Sequence, residues 1–166
     1  MPTILKDFPS AKLVIVGPDY GNYASKLLDI AKKLRIEHSL VITGNVSRQK
    51  LLEFYSAANA FLLPSSYEGF GLSMLEAMCS KIPVIASPSG GPGDILSHRL
   101  NAWLLKEPTP NEISKSVYAV LTDQQLRESL TKNAFELVKQ KYTWKSVVDK
   151  LETIYEQTIA ERAEDA

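Results

Sequence analysis

"PSSYEGFGLSMLEAMCSKIPVIASPSGGPGD", Pro64 to Asp94, is the stretch on which the reading of the whole chain turns. Its centre, Gly71 to Ser80, predicts a helix, and "IPVIAS", Ile82 to Ser87, predicts a strand running into a second glycine-rich loop. Leu72, Met74, Leu75, Ala77, Met78 and Cys79 surround the helix with apolar side chains, which predicts burial on most of its faces. One carboxylate, Glu76, interrupts them, and a second, Glu68, stands in the loop before the helix. A carboxylate among apolar neighbours needs donors, because leaving it unpaired costs on the order of several kcal/mol or neutralises it. Ligand hydroxyls, a Lys or Arg, backbone N–H groups, or solvent beside Ser73 and Ser80 would each serve, and the spacing does not choose among them. A helical rise puts Glu68 and Glu76 roughly 10 Å apart, which suits two contacts on an extended ligand better than a tight acid/base pair.

The two loops add a second kind of chemistry. Gly69 and Gly71 let backbone approach a ligand closely, and the helix start that follows offers unpaired N–H groups at a positive dipole end. A phosphate or diphosphate fits such a place, although glycines before a helix also serve as ordinary turn residues. Gly90 and Gly91 likewise permit close approach, with Asp94 positioned to orient a hydroxyl or to cap a short helix. Anion donors and hydroxyl acceptors in one crevice match the two ends of a sugar nucleotide.

Outward from this stretch, short β-branched runs alternate with helical ones. "KLVIVG" (Lys12 to Gly17), "SLVITG" (Ser39 to Gly44), "NAFLLP" (Asn59 to Pro64) and "NAWLL" (Asn101 to Leu105) read as further strands. Helices are expected over Tyr20 to Leu34, from a Ser47 cap to Ala58, after Pro92, over Asn111 to Leu121 and Gln124 to Lys139, and from Thr143 to about Glu161, with "ERAEDA" frayed. Alternating strands and helices, with strands apolar on both faces, specify an open doubly wound parallel sheet, an α/β Rossmann-like fold. Ligands in such sheets sit beyond the carboxyl ends of the strands, which singles out Gly17 to Asp19, Gly44 to Val46, Pro64 to Gly71 and Ser87 to Asp94. The 166 residues fit one domain, 1–166, with no internal repeat or linker.

Composition narrows the function classes. Lys plus Arg and Asp plus Glu both number 19, so the net charge is zero, which argues against nucleic acid as the partner. One cysteine, Cys79, excludes an internal disulfide and a cysteine metal cluster. No apolar run approaches the roughly 20 residues a membrane helix needs, and the start lacks a signal-peptide pattern, so a soluble cytoplasmic chain is expected. The first strand is not followed by G-x-G-x-x-G and no Walker-type loop occurs, which disfavours an NAD(P)-dependent oxidoreductase of the same architecture. His38 and His98 read as ordinary hydrogen-bonded or surface histidines. Arg48 and Lys50 read as exposed charges at a helix start.

Pro64 to Gly91 closely resembles the signature of retaining glycosyltransferases of family 4, which have the GT-B fold of two Rossmann-like halves. "EGFGLSMLEAM" carries that family's E-x7-E pair, and "PVIASPSGGPGD" matches its following strand and double-glycine loop. "FPSAKLVIVG", "ITGNVSRQKLLEFYSAANAFLLPSSYEGFG" and "YTWKSVVDKLETIYE" fall in the family's order, so the resemblance covers nearly the whole chain. It implies the donor-binding, C-terminal half of such an enzyme. Glu76 would then accept hydrogen bonds from the donor ribose, and Glu68 would contact the donor sugar near the reacting centre as the catalytic candidate. N–H groups of Phe70, Gly71 and Leu72, beside Gly69, would hold the sugar and diphosphate, facing Gly90 and Gly91. The segments around Gly17 and Val46 would border the base. The implied substrate is a UDP- or GDP-linked sugar, transferred with retention and without a metal or other cofactor.

Departures from the family pattern set further expectations. The chain begins near the end of the family half's first helix, without that half's first strand and the arginine and lysine that grip the diphosphate. An N-terminal acceptor-binding domain is likewise absent from it, and any peripheral contact with the inner face of a membrane would go through that half. Catalysis by this chain alone is therefore not expected, and a catalytically inactive nucleotide-sugar-binding or assembly module is the alternative. Lys81 and the Asn101–Ala102 region stand where the family has glycine, and Asp94 stands where it has glutamate.

Overall fold

The structure is a computed structural model that describes residues 1–164. Five short parallel strands, β1 (Leu13–Ile15), β2 (Leu40–Ile42), β3 (Phe61–Leu63), β4 (Val84–Ala86) and β5 (Trp103–Leu104), alternate with helices α1 (Pro2–Asp7), α2 (Tyr23–Leu34), α3 (Arg48–Ala57), α4 (Leu72–Cys79) and α5 (Gly91–Ile95). Helices α6 (Pro110–Thr122), α7 (Gln124–Lys141) and α8 (Trp144–Glu164) complete the chain. This is the expected α/β alternation, each strand being shorter than its apolar run. A 3-10 turn at Glu37–Ser39, unanticipated from the sequence, precedes β2. Helix α8 continues to Glu164, past the expected end near Glu161, and the fraying expected at the last residues falls partly outside the described residues.

The strands form two sheets where one was expected. β1 pairs with β2, and β3, β4 and β5 form a separate sheet in that order. The doubly wound strand order would place one more strand between β1 and β3. Thr43 N–H donates to the Ile15 carbonyl and Ser87 N–H to the Leu63 carbonyl, both at 3.0 Å. Alternation along a parallel strand therefore turns the N–H and C=O groups of Val14 and Leu62 away from β2 and β4, toward unpaired edges.

The core lies on both faces of β4, which is fully buried. Successive side chains point to opposite faces. Val84 and Ala86 join Tyr55, Met74, Met78, Ala134 and Val138 on one face, while Ile85 joins Ile4, Leu105, Val120 and Leu130 on the other. Thus α1, α6 and the first half of α7 cover one face of the larger sheet, and α3, α4 and the second half of α7 the other. β1 and β2, expected to be buried on both faces, are half-open instead: Val14 and Val41 are each 39% exposed. Helix α8 also keeps an apolar stripe in water, with Trp144, Val148, Leu151, Tyr155 and Ile159 all exposed.

Candidate functional site

The loop between β3 and α4 ends at Gly71, whose φ of +84 places it in the left-handed region as the N-cap. The helix-initiating bonds run from Met74 and Leu75 N–H to the Gly71 carbonyl, at 3.0 and 3.2 Å. The N–H groups of Phe70, Gly71, Leu72 and Ser73 donate to no acceptor among the described residues. Four free donors at the positive end of a helix form a cradle for an anion.

The second loop supports the first. Glu68 forms a parallel bridge with Gly90, and Gly91 N–H donates to the Glu68 carbonyl at 3.0 Å. A Cβ on Gly90 would lie 2.0 Å from the Glu68 carbonyl oxygen, and one on Gly91 would lie 2.5 Å from that of Gly69. The sequence reading had these two glycines making room for a ligand. The room they make is first for the chain's own Glu68–Gly71 loop. At Gly69 a Cβ would meet nothing, so its side is open.

Glu76 departs from its expected surroundings. Helix α4 is buried through Met74, Leu75, Ala77 and Met78, but Leu72, Glu76 and Cys79 form an exposed strip. These three lie three and four residues apart on one helical face, so α4 is open along a single line. The carboxylate has a specific neighbour there, because the Tyr55 hydroxyl donates to Glu76 Oε2 at 3.1 Å and lies 3.2 Å from the Ser73 carbonyl oxygen. Burial, then the hydrogen bond to Glu76 and its charge, push the Tyr55 phenol well above its ordinary range. Burial and the Glu76 charge also raise the Cys79 thiol.

Tyr55 was legible only as a core residue of α3. Its bond to Glu76 spans 21 positions, which no local pattern encodes. Helix α3 thereby links two groups of candidate residues. It starts from the Ser47 cap, just after Val46, and Tyr55 in its last turn reaches α4. Gly17 N–H donates to the Gly44 carbonyl at 3.1 Å, which joins the loops after β1 and β2. Glu68, Gly69, Phe70, Gly71, Leu72, Gly90 and Gly91 thus form one loop cluster, with Glu76 on the helix above. Gly17 and Val46 belong to the loops of the smaller sheet.

The remaining residues behave as structural groups. Lys50 pairs with Glu53 at 2.7 Å in water, and His98 Nδ1 accepts from Leu104 N–H at 3.0 Å. Asn101, where the family pattern has glycine nearby, is buried and holds its own turn, accepting from Ser97 N–H at 2.7 Å and donating to the Ile95 carbonyl at 3.1 Å. Asp94 is exposed in the first turn of α5. No helix among the described residues is long and apolar enough to cross a membrane.

Residues 1–137 match the family described as glycosyl transferases group 1. The chain belongs to that family. This group 1 domain is 35% identical over 155 residues to an uncharacterized glycosyltransferase of Methanocaldococcus jannaschii, covering 93% of this chain and 39% of that protein. It superposes on the C-terminal domain of a group 1 family glycosyl transferase, LpcC of Francisella tularensis, with a TM-score of 0.78 and 26% identity over 86% of this chain and 75% of that one. It also shares its fold with HepE of Anabaena in complex with UDP, with a TM-score of 0.79 and 23% identity over 95% of this chain and 44% of that one. The domain is therefore of the GT-B, C-terminal type. It spans about two-fifths of the full length of the Methanocaldococcus and Anabaena proteins, 39% and 44% respectively.

Proposed function

We propose that this chain is the donor-binding half of a retaining glycosyltransferase that works without a metal and takes a UDP- or GDP-linked sugar. One observation carries the reading: the free N–H groups of Phe70, Gly71, Leu72 and Ser73 at the start of α4, with Glu68 before them in the chain and Glu76 after them. In this reading the diphosphate sits at those N–H groups, which stabilise the charge that develops as the sugar leaves. Glu76 accepts from the ribose hydroxyls, with the Tyr55 hydroxyl holding its carboxylate. Glu68 contacts the sugar near the reacting carbon as the catalytic candidate. The loops at Gly17 and Val46 border the base, while Gly90 and Gly91 act by letting the donor loop close against them. The UDP complex of the Anabaena neighbour supports a nucleotide site in this fold.

The reading includes a partner, an N-terminal acceptor-binding half, without which the chain is inactive in transfer. Three observations support it: the chain's span of about two-fifths of those relatives, the unpaired edges of β1 and β3, and the apolar stripe of α8. Calorimetric titration of UDP- and GDP-sugars into this chain, and into a form extended before Met1 by one strand, tests the proposal. Binding of one nucleotide series, weakened about tenfold or more by Glu76→Gln, is expected. Failure of both series to bind the extended form would sink it.

A further inference from the structure

Gly69 and Gly71 flank Phe70, so the side chain of Phe70 is the one large handle on the final three residues of the loop, next to the start of α4. Phe70 is 48% exposed, and its ring packs against that of Tyr142 in a tilted, edge-type pair with centroids 6.2 Å apart and planes at 62°. Such tilted aromatic pairs add specific attraction beyond the area they bury. Tyr142 is itself fixed on three sides. Its N–H donates to the Val138 carbonyl at 2.9 Å as the C-cap of α7, and its ring packs against the core cluster that holds Met74 and Met78. The next residue, Thr143, is locked to Ser146 by reciprocal bonds of 3.1 Å from each N–H to the other's hydroxyl. The donor loop therefore has two supports: backbone bonds to Gly91 on one side and the Tyr142 ring on the other.

We infer that Tyr142 is a positioning residue for the donor site, holding Phe70 so that the N–H groups at the start of α4 face one anion position. The inference rests on the donor-site reading above. The ring, and not the hydroxyl, does this, since the contact is edge to ring.

The test compares wild type, Tyr142→Phe and Tyr142→Leu by amide ¹⁵N relaxation without ligand and by UDP titration. In Tyr142→Leu, order parameters at Phe70 and Gly71 should fall from about 0.85 to below about 0.6 while β4 and α7 stay rigid. UDP should bind roughly three- to tenfold more weakly, and Tyr142→Phe should restore both readouts. Unchanged loop order in Tyr142→Leu overturns the inference, as does failure of Tyr142→Phe to restore it. If Tyr142→Leu does not fold, Phe70→Leu, cut from the other side of the contact, must loosen Gly71 in the same way. Loosening without UDP binding by any form, wild type included, would instead defeat the donor-site reading.

Discussion

The Tyr55 hydroxyl donates to the Glu76 carboxylate at 3.1 Å, and this bond ties α3, which follows the Val46 loop, to the helix that starts at the donor loop. Tyr55→Phe removes it along with the 3.2 Å contact to the Ser73 carbonyl. Chemical denaturation should show a loss of about 1 kcal/mol. The pH dependence has a definite sign. The Tyr55 phenol is raised in the folded state, so its contribution is fully present below the unfolded phenol's pKa near 10 and is lost as pH rises beyond it. Wild type should lose stability more steeply above about pH 10 than Tyr55→Phe does.

Gly90 combines a φ of +72 with a virtual Cβ only 2.0 Å from the Glu68 carbonyl oxygen. Gly90→Ala must push the Glu68 loop away or distort its own backbone. Urea denaturation should register a loss of about 2–3 kcal/mol. Gly69→Ala, whose Cβ meets open space, should cost less than about 1 kcal/mol.

Cys79 shares the exposed strip of α4 with Glu76, one turn away, and the carboxylate helps hold its thiol up. Replacing that charge with an amide favours the thiolate, the reactive form. Iodoacetamide labelling near pH 8 should therefore be faster in Glu76→Gln than in wild type, by roughly a factor of two to five. Equal rates would place the carboxylate's influence elsewhere.

Much of the fold could be read from the chain, because four of the five strands are apolar runs ended by glycine, proline or serine and α3 carries its Ser47 cap. The glycine-bearing loop before α4 was legible for the same reason. What the sequence could not carry was contact across distance. Glu76 looked enclosed because its neighbours in sequence are apolar, yet those neighbours point inward and leave Leu72, Glu76 and Cys79 outside. Gly90 and Gly91 looked like ligand space, whereas their closest approach is to Glu68 and Gly69, more than 20 positions earlier. Tyr142 lies 72 positions beyond Phe70, so no periodicity joins them. The split of the sheet was legible only through the family pattern, whose first strand has no counterpart in this sequence; strand propensity by itself reports each segment and not its neighbours.

Lys81 occupies the left-handed region at φ +57, just past the C-cap of α4, where glycine is the easier residue. Its Nζ lies 4.7 Å from the centroid of the Phe135 ring, which offsets part of that strain and fastens the far end of α4 to α7. Lys81→Gly should stay within about 0.5 kcal/mol of wild type, relief of strain balancing the lost cation–π contact. Lys81→Val, β-branched and uncharged, should lose about 1–2 kcal/mol in thermal unfolding.

The central claim is that a nucleotide diphosphate sits at the start of α4, and amide chemical-shift mapping with UDP tests it most directly. The account predicts the largest shifts at Phe70, Gly71, Leu72 and Ser73, with smaller ones at Glu76, Gly17 and Val46. Saturable UDP binding that leaves those four amides unmoved, or moves a different face of the domain, would contradict it.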